Sequence, residues 1–173
     1  MWFKRRQTPE RVAQPQPPDP AEVIRGLRQQ ALTLEASQLG VAPTRERPHV
    51  WGVLMETGFP EAVVSLVAFA DGTTSLYFSN GGGVIGAGEH ESVRVASAAL
   101  LGAAEAHVAG FAPAGETPLP AAGRVRFYVR TFGGTLTAET DEQDLGHRRH
   151  PLAPVFHAGH AVIAAVREAT ERK

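Results

Sequence analysis

Cysteine is absent from the 173 residues, which excludes disulfides and thiolate metal sites and leaves the redox compartment open. Lysine is nearly absent: Lys4 and Lys173 stand against fifteen arginines. With so much Ala, Gly, Val and Pro, that bias points to a GC-rich bacterial genome. Neither sign of charge is in excess, since 17 basic side chains meet 18 acidic ones. A nucleic acid held by bulk phosphate neutralisation is therefore not an expected partner. No apolar run approaches the roughly 20 residues that span a bilayer. The opening MWFKRRQTPERVAQPQPPDP is basic and lacks the apolar centre of a signal peptide, so a cytoplasmic location without membrane attachment is expected. The catalytic inventory is also thin. There is no G-x-S-x-G elbow, and no acid/base pair has a spacing that demands one. Neither catalysis nor a cofactor is expected.

What is present divides into a tail and one domain. Residues 1–19 carry Pro9, Pro15, Pro17 and Pro18 among polar residues and read as a disordered tail. Its MWFKRR start suits either a docking tag or an inert end. Asp19-Pro20-Ala21-Glu22 then supplies an N-cap carboxylate, a proline at the first helical position and a capping-box glutamate. Ile24, Leu27, Ala31 and Leu34 recur at helical spacing up to Gly40. HVWGVLMET, AVVSLVAFA and TTSLYFS read as strands, the last two joined at Asp71-Gly72, a two-residue hairpin signal. That register sets Val67 against Leu76 and Ser65 against Phe78, with Phe69, Val67, Leu76 and Phe78 on the core face. ESVRVASAALLGAAEAHV is a helix. RVRFYVRTF, Gly133-Gly134 and TLTAETD form a second hairpin, and PLAPVFHAGHAVIAAVREAT a last helix. The expected architecture is one α+β domain over 20–173, a five-stranded antiparallel sheet with three helices in the order αβββαββα.

Four constellations invite chemistry. Gly81-x-Gly83-x-x-Gly86 matches a dinucleotide fingerprint between strand and helix. However, the strand belongs to a hairpin, and Glu89, His90 and Glu91 put carboxylates where a phosphate would sit. A glycine-shaped turn is the simpler reading, with a ligand loop rimmed by those three residues as the rival. Arg124, Arg126, Tyr128 and Arg130 alternate along one strand, either as an anion platform or as a solvated face. With Gly133-Gly134 as loop, Arg126 faces Asp141 and Tyr128 faces Glu139, so the strip carries its own counter-charges. The opposite side, with Val125, Phe127, Val129, Leu136 and Ala138, is core. His147, His150, His157 and His160 have metal-like spacing, but Arg148 and Arg149 lie between the first two. The last helix places His157 and His160 opposite its Val155, Gly159, Val162 and Val166 side. Finally, Ala96, Ala99, Ala103 and Ala106 form a small-residue stripe that permits close helix approach.

Between Asp71 and Phe111, DGTTSLYFSNGGGVIG followed by EHESVRVASAALLGAAEAHV resembles the hairpin and central helix of roadblock-type proteins, relatives of dynein light chains that regulate small GTPases in bacteria. The resemblance implies a small α/β sandwich that dimerises through its central helix and sheet edges and acts as a non-catalytic adaptor. The alanine stripe would then be the dimer surface. Three strands precede this helix where that family has two, and two follow it where the family has three. The reading as a whole is a protein-interaction or regulatory domain acting as a homodimer. Its rivals are a small-molecule or nucleotide enzyme at Gly81–Gly88 and a histidine-based metal protein.

Overall fold

The computed structural model describes residues 16–172. Most of the expected tail, MWFKRR included, lies outside the described residues.

Helix α1 (Pro20–Thr33) starts where its capping signal places it: the Asp19 carboxylate accepts the Ala21 N–H at 3.0 Å, with Pro20 at the first position. Seven strands follow in one antiparallel sheet: β1 (Val50–Gly58), β2 (Val63–Phe69), β3 (Thr74–Phe78), β4 (Gly83–Val84), β5 (Ala112–Pro113), β6 (Arg124–Thr131) and β7 (Gly134–Asp141). Their spatial order is β4-β3-β2-β1-β6-β7-β5. Helix α2 (Glu91–Ala106) separates β4 from β5, and α3 (Glu142–Gly146) and α4 (Ala153–Glu171) close the chain. The α+β class stands, but the layout of five strands and three helices does not: the described residues hold seven strands and four α-helices. The missed strands β4 and β5 have two residues each, too few for any alternation to show. The missed α3 is one short turn, capped by the Asp141 carboxylate on the Gln143 and Asp144 amides.

The sheet is covered on both sides. Val53, Met55, Leu66, Leu76, Phe127 and Val129 point to α2 and α4, meeting Leu100, Leu101, Val155 and Val162. Leu54, Val67, Phe69, Tyr77 and Tyr128 point the other way, to Ile24, Ala31 and Leu32 of α1. Each such side chain contributes roughly 1.5–3 kcal/mol by leaving water. Central β1 is buried at every position, which is why HVWGVLMET shows no polar alternation.

Both hairpin registers differ from expectation. In the β2–β3 hairpin Phe69 N–H bonds to Thr73 O and Ala68 pairs with Thr74, so Ala70, Asp71 and Gly72 form a three-residue loop. Gly72 takes φ +94°, the left-handed position such loops need. One extra loop residue slips the ladder by one: Val67 pairs with Ser75, Leu66 with Leu76 and Ser65 with Tyr77. The proposed core face is thereby split, Leu76 and Phe78 facing α2 while Val67 and Phe69 face α1. In β6–β7 the loop is Phe132-Gly133, and Arg124 pairs with Asp141, Arg126 with Glu139 and Tyr128 with Thr137. That shift is two residues, so the faces survive, and Val125, Phe127, Val129, Leu136 and Ala138 are on the core side.

Glu105, near the end of α2, ties the entry of β1. It accepts the His49 and Val50 amides at 3.1 and 2.7 Å and bonds the His49 ring at 2.6 Å. Burial disfavours its charge, but these donors more than offset that and hold its carboxyl below the ordinary range. A depressed folded pKa contributes stability above the unfolded value of about 4.3. That contribution is lost as pH falls through the folded value. Wild-type stability should therefore fall more steeply than that of Glu105→Gln between about pH 5 and pH 3, as read from urea midpoints. Equal slopes would remove the role assigned to Glu105.

Candidate functional site

The polar chemistry of the fold concentrates between α1 and the sheet, on the face whose arginines the alternating pattern presents as solvated. The structure corrects that expectation: Tyr128 is 0 % and Arg130 6 % exposed. Helix α1 and the segment before β6 cover them. The counter-charge part of the expectation holds farther out, where Glu139 pairs with both Arg124 and Arg126.

At the centre is a buried ion pair. Arg28, from the middle of α1, donates Nε to Glu56 Oε1 at 2.7 Å and its second nitrogen to Oε2 at 2.9 Å. Ser65, paired with Glu56 across β1–β2, donates its hydroxyl to the same carboxylate at 2.8 Å. Arg28 also donates to Thr117 O at 2.9 Å, and the Tyr128 hydroxyl donates to Pro118 O at 2.7 Å. These two bonds pin the Pro-rich connection between β5 and β6 over the network. Burial acts against the Arg28 cation, but Glu56 outweighs it and raises the guanidinium pKa above its usual value. Burial likewise raises the Tyr128 phenol. The pair is a structural clamp, its donors and acceptors engaged by each other, by Ser65 and by the Thr117 carbonyl.

A second arginine works alone. The β1 register shifts between Val50 and Gly52, and Trp51 at that bulge packs on Phe69 with ring centroids 5.4 Å apart. The Arg130 guanidinium lies 4.9 Å from the Trp51 ring centre. It donates to Ala31 O at 3.1 Å and Leu34 O at 2.6 Å, carbonyls at the C-terminal end of α1. That helix has no basic residue in its own last turn, so β6 supplies the cation its dipole favours. Beside them opens a cavity of about 550 Å³, lined by Leu32, Thr33, Glu35, Trp51, Arg130, Phe132 and Thr135 among others.

The glycines, alanines and histidines singled out by sequence pattern lie apart from one another, the alanines and the α4 histidines on the other side of the sheet. The glycine run builds the β3–β4 connection, where Phe78 N–H bonds to Gly82 O and Gly83 pairs with Tyr77. Gly81, Gly83 and Gly86 all have positive φ. Glu89 ends a short 3-10 turn, His90 precedes α2 without a side-chain cap, and Glu91 opens the helix. Arg94 folds back onto Gly88 O and Glu89 O at 2.9 and 2.8 Å. The loop thus follows an antiparallel hairpin strand, outside any βαβ unit. The alanine stripe divides: Ala96 and Ala103 are half-buried against the core, while Ala99 and Ala106 are exposed. The histidines do not converge. His147 Nδ1 bonds Gln143 O at 2.7 Å and His150 Nδ1 accepts the Leu152 N–H at 3.1 Å. His157 is half-buried, and the His160 ring packs edge-on to Phe156 at 4.3 Å. Burial and His157 lower the His160 pKa against a raising influence from Glu142. Among the described residues no group of three His, Cys, Asp or Glu is placed to hold a metal ion.

Arg28, Glu56, Ser65 and Trp51 were not singled out by pattern. One signal for them exists: Glu56 is a lone carboxylate inside an otherwise apolar strand, and a carboxylate there needs a partner. No family model, curated protein or solved structure matches the chain.

Proposed function

We propose that this chain is a non-catalytic protein-interaction or regulatory domain of a bacterial cytoplasmic protein, acting as a homodimer through the outward face of α2. The observation that carries the reading is the composition of that face. Val95 is 65 % exposed, and Ala98, Ala99, Gly102 and Ala106 are exposed with it. They recur at i, i+3, i+4, i+7 and i+11, one continuous line along the helix with no charge on it. The helix carries three charges: Arg94 turns back to the preceding loop, Glu105 turns in to His49, and Glu91 stands in the first turn, beyond Val95 at the N-terminal end of the line. Small side chains let two such helices approach closely, and a twofold pair would present the same line to itself.

The rest of the molecule supports binding over bond-making. Glu56, Glu105, Glu139 and Asp144 are engaged by Arg28, His49, Arg124 with Arg126, and Arg149. No helix among the described residues is long and apolar enough to cross a membrane.

Light scattering tests the dimer directly. Wild type is expected at twice the chain mass, and Ala99→Glu at the monomer mass with an unchanged circular dichroism spectrum. An exposed helical site tolerates the new side chain in the monomer within about 0.5 kcal/mol, whereas facing carboxylates disfavour the pair. A wild-type chain that is monomeric across micromolar to millimolar concentration would end this reading.

A further inference from the structure

Two guanidinium groups are buried between α1 and the sheet, and their surroundings differ in one respect. Arg28 has a carboxylate on both arms of its fork. Arg130 has none within 4.0 Å among the described residues: its polar partners are two carbonyls, with the Trp51 ring beneath. Of the five N–H donors of an arginine, two bonds are made here, and the buried Nε–H has no partner. A buried charge without a counter-charge is expensive to keep, so its presence calls for an explanation beyond capping. Desolvation pushes the Arg130 pKa down, and Glu35 is the group whose field opposes this.

Arg130 and Glu35 line the same cavity of about 550 Å³, inside the roughly 300–1,000 Å³ range of small-molecule sites. Its lining therefore includes one cation, one carboxylate residue, the hydroxyl residues Thr33, Ser37, Thr131 and Thr135, and apolar Leu32 and Phe132, with the Thr33 and Thr131 hydroxyls bonded to Gln29 O and Gly134 O. A simple anion would be repelled by Glu35 and a simple cation by Arg130. A doubly charged phosphate would face one favourable and one unfavourable charge. The wall is complementary to a ligand with both signs of charge and an apolar remainder.

We propose that this cavity binds a small zwitterion of the chemical class of a free α-amino acid, its carboxylate toward Arg130 and its ammonium toward Glu35. This goes beyond the interaction reading and depends on nothing at the α2 face. It gives the domain a ligand that stiffens the junction of α1 with β6 and β7.

Thermal denaturation and titration calorimetry of the full chain test it, with the free amino acids, acetate and inorganic phosphate as probes. At least one amino acid should raise the melting temperature saturably, as native-state binding must, while acetate and phosphate should not. Thr135→Trp fills the cavity beside Arg130, across the β6–β7 ladder, and leaves the α1 cap untouched. It should abolish the shift and keep the unliganded melting temperature. Glu35 is exposed, so Glu35→Gln leaves the fold intact and should weaken amino-acid binding about tenfold or more. The proposal is overturned if no amino acid shifts melting at about 10 mM, where even millimolar affinity would register. It is also overturned if the shift survives Thr135→Trp, if Glu35→Gln binds as well as wild type, or if acetate or phosphate does equally well.

Discussion

Arg28→Ala is expected to lower the free energy of unfolding by about 3–5 kcal/mol, the range for removing one partner of a buried ion pair. Glu56 is fully buried at the centre of the sheet and has only Arg28 and the Ser65 hydroxyl to compensate its charge. Without the guanidinium, the carboxylate must stay charged in an apolar setting or take up a proton, and both destabilise the fold. The double variant Arg28→Met with Glu56→Leu removes the charge together with its partner. It should recover most of the loss, because packed apolar side chains replace buried ion pairs at little net cost. Urea unfolding of the three proteins measures both steps. A second readout follows from the bonds to Thr117 and Pro118, which hold the β5–β6 connection against the network. Amide exchange in residues 114–122 should quicken in both variants, since neither restores a donor for Thr117 O. A loss below about 1 kcal/mol for Arg28→Ala would show that the pair is not the clamp of this face.

How far such features are legible in the chain depends on whether their cause is local. The start of α1 is local: Asp19, Pro20 and Ala21 are consecutive, and the cap forms where they predict. The faces of β6 and β7 are legible despite a wrong loop, because an error of two residues preserves side-chain parity. In β2–β3 the error is one residue, set by whether Ala70 joins the loop, and parity is lost. The β-hairpin dipeptide Asp71-Gly72 is compatible with both loops, so sequence alone does not choose. The α1 face is harder. Arg124, Arg126 and Arg130 alternate identically whether water or a helix lies over them, and only the crossing of α1 distinguishes the cases. Arg28 meets Glu56 from 28 positions away, and Arg130 meets Ala31 from 99. No periodicity encodes such pairings. The cavity beside Arg130 exists only once α1, β1, β6 and β7 are assembled, so it has no signature in the chain at all.

The two proposed sites lie on opposite sides of the sheet, and that separation makes them independently testable. The exposed line on α2 faces away from the core it shares with α4, whereas the cavity belongs to the α1 side. A ligand held by Arg130 touches the end of α1 and the β6–β7 hairpin. Through β6 it adjoins β1, which packs on α2 from the other face. An influence of ligand on dimerisation has to cross the sheet, and would be seen as a ligand-dependent dimer constant.

Gly88→Ala is expected to lose about 3 kcal/mol or more, the upper part of the range for overpacking. Gly88 lies in the turn Ala87–Glu89, where the chain leaves β4 and enters α2. A Cβ there would stand 1.9 Å from the Gly72 carbonyl oxygen and 3.4 Å from the Thr74 amide nitrogen. These are backbone atoms of the β2–β3 turn and cannot rotate aside, so the two loops must separate and draw Thr74 from Ser97, its hydroxyl partner at 2.9 Å. Gly26→Ala is the control with opposite sign: it sits inside α1 with nothing within 4 Å of its added methyl. It should gain about 0.5–1 kcal/mol, since alanine restricts the unfolded chain and favours the helix. The comparison also decides what the glycine-rich loop is for. If its glycines served to admit a ligand, Gly88→Ala would leave unfolding unchanged and abolish binding of that ligand. A large stability loss in the ligand-free chain instead assigns Gly88 to the contact between two turns.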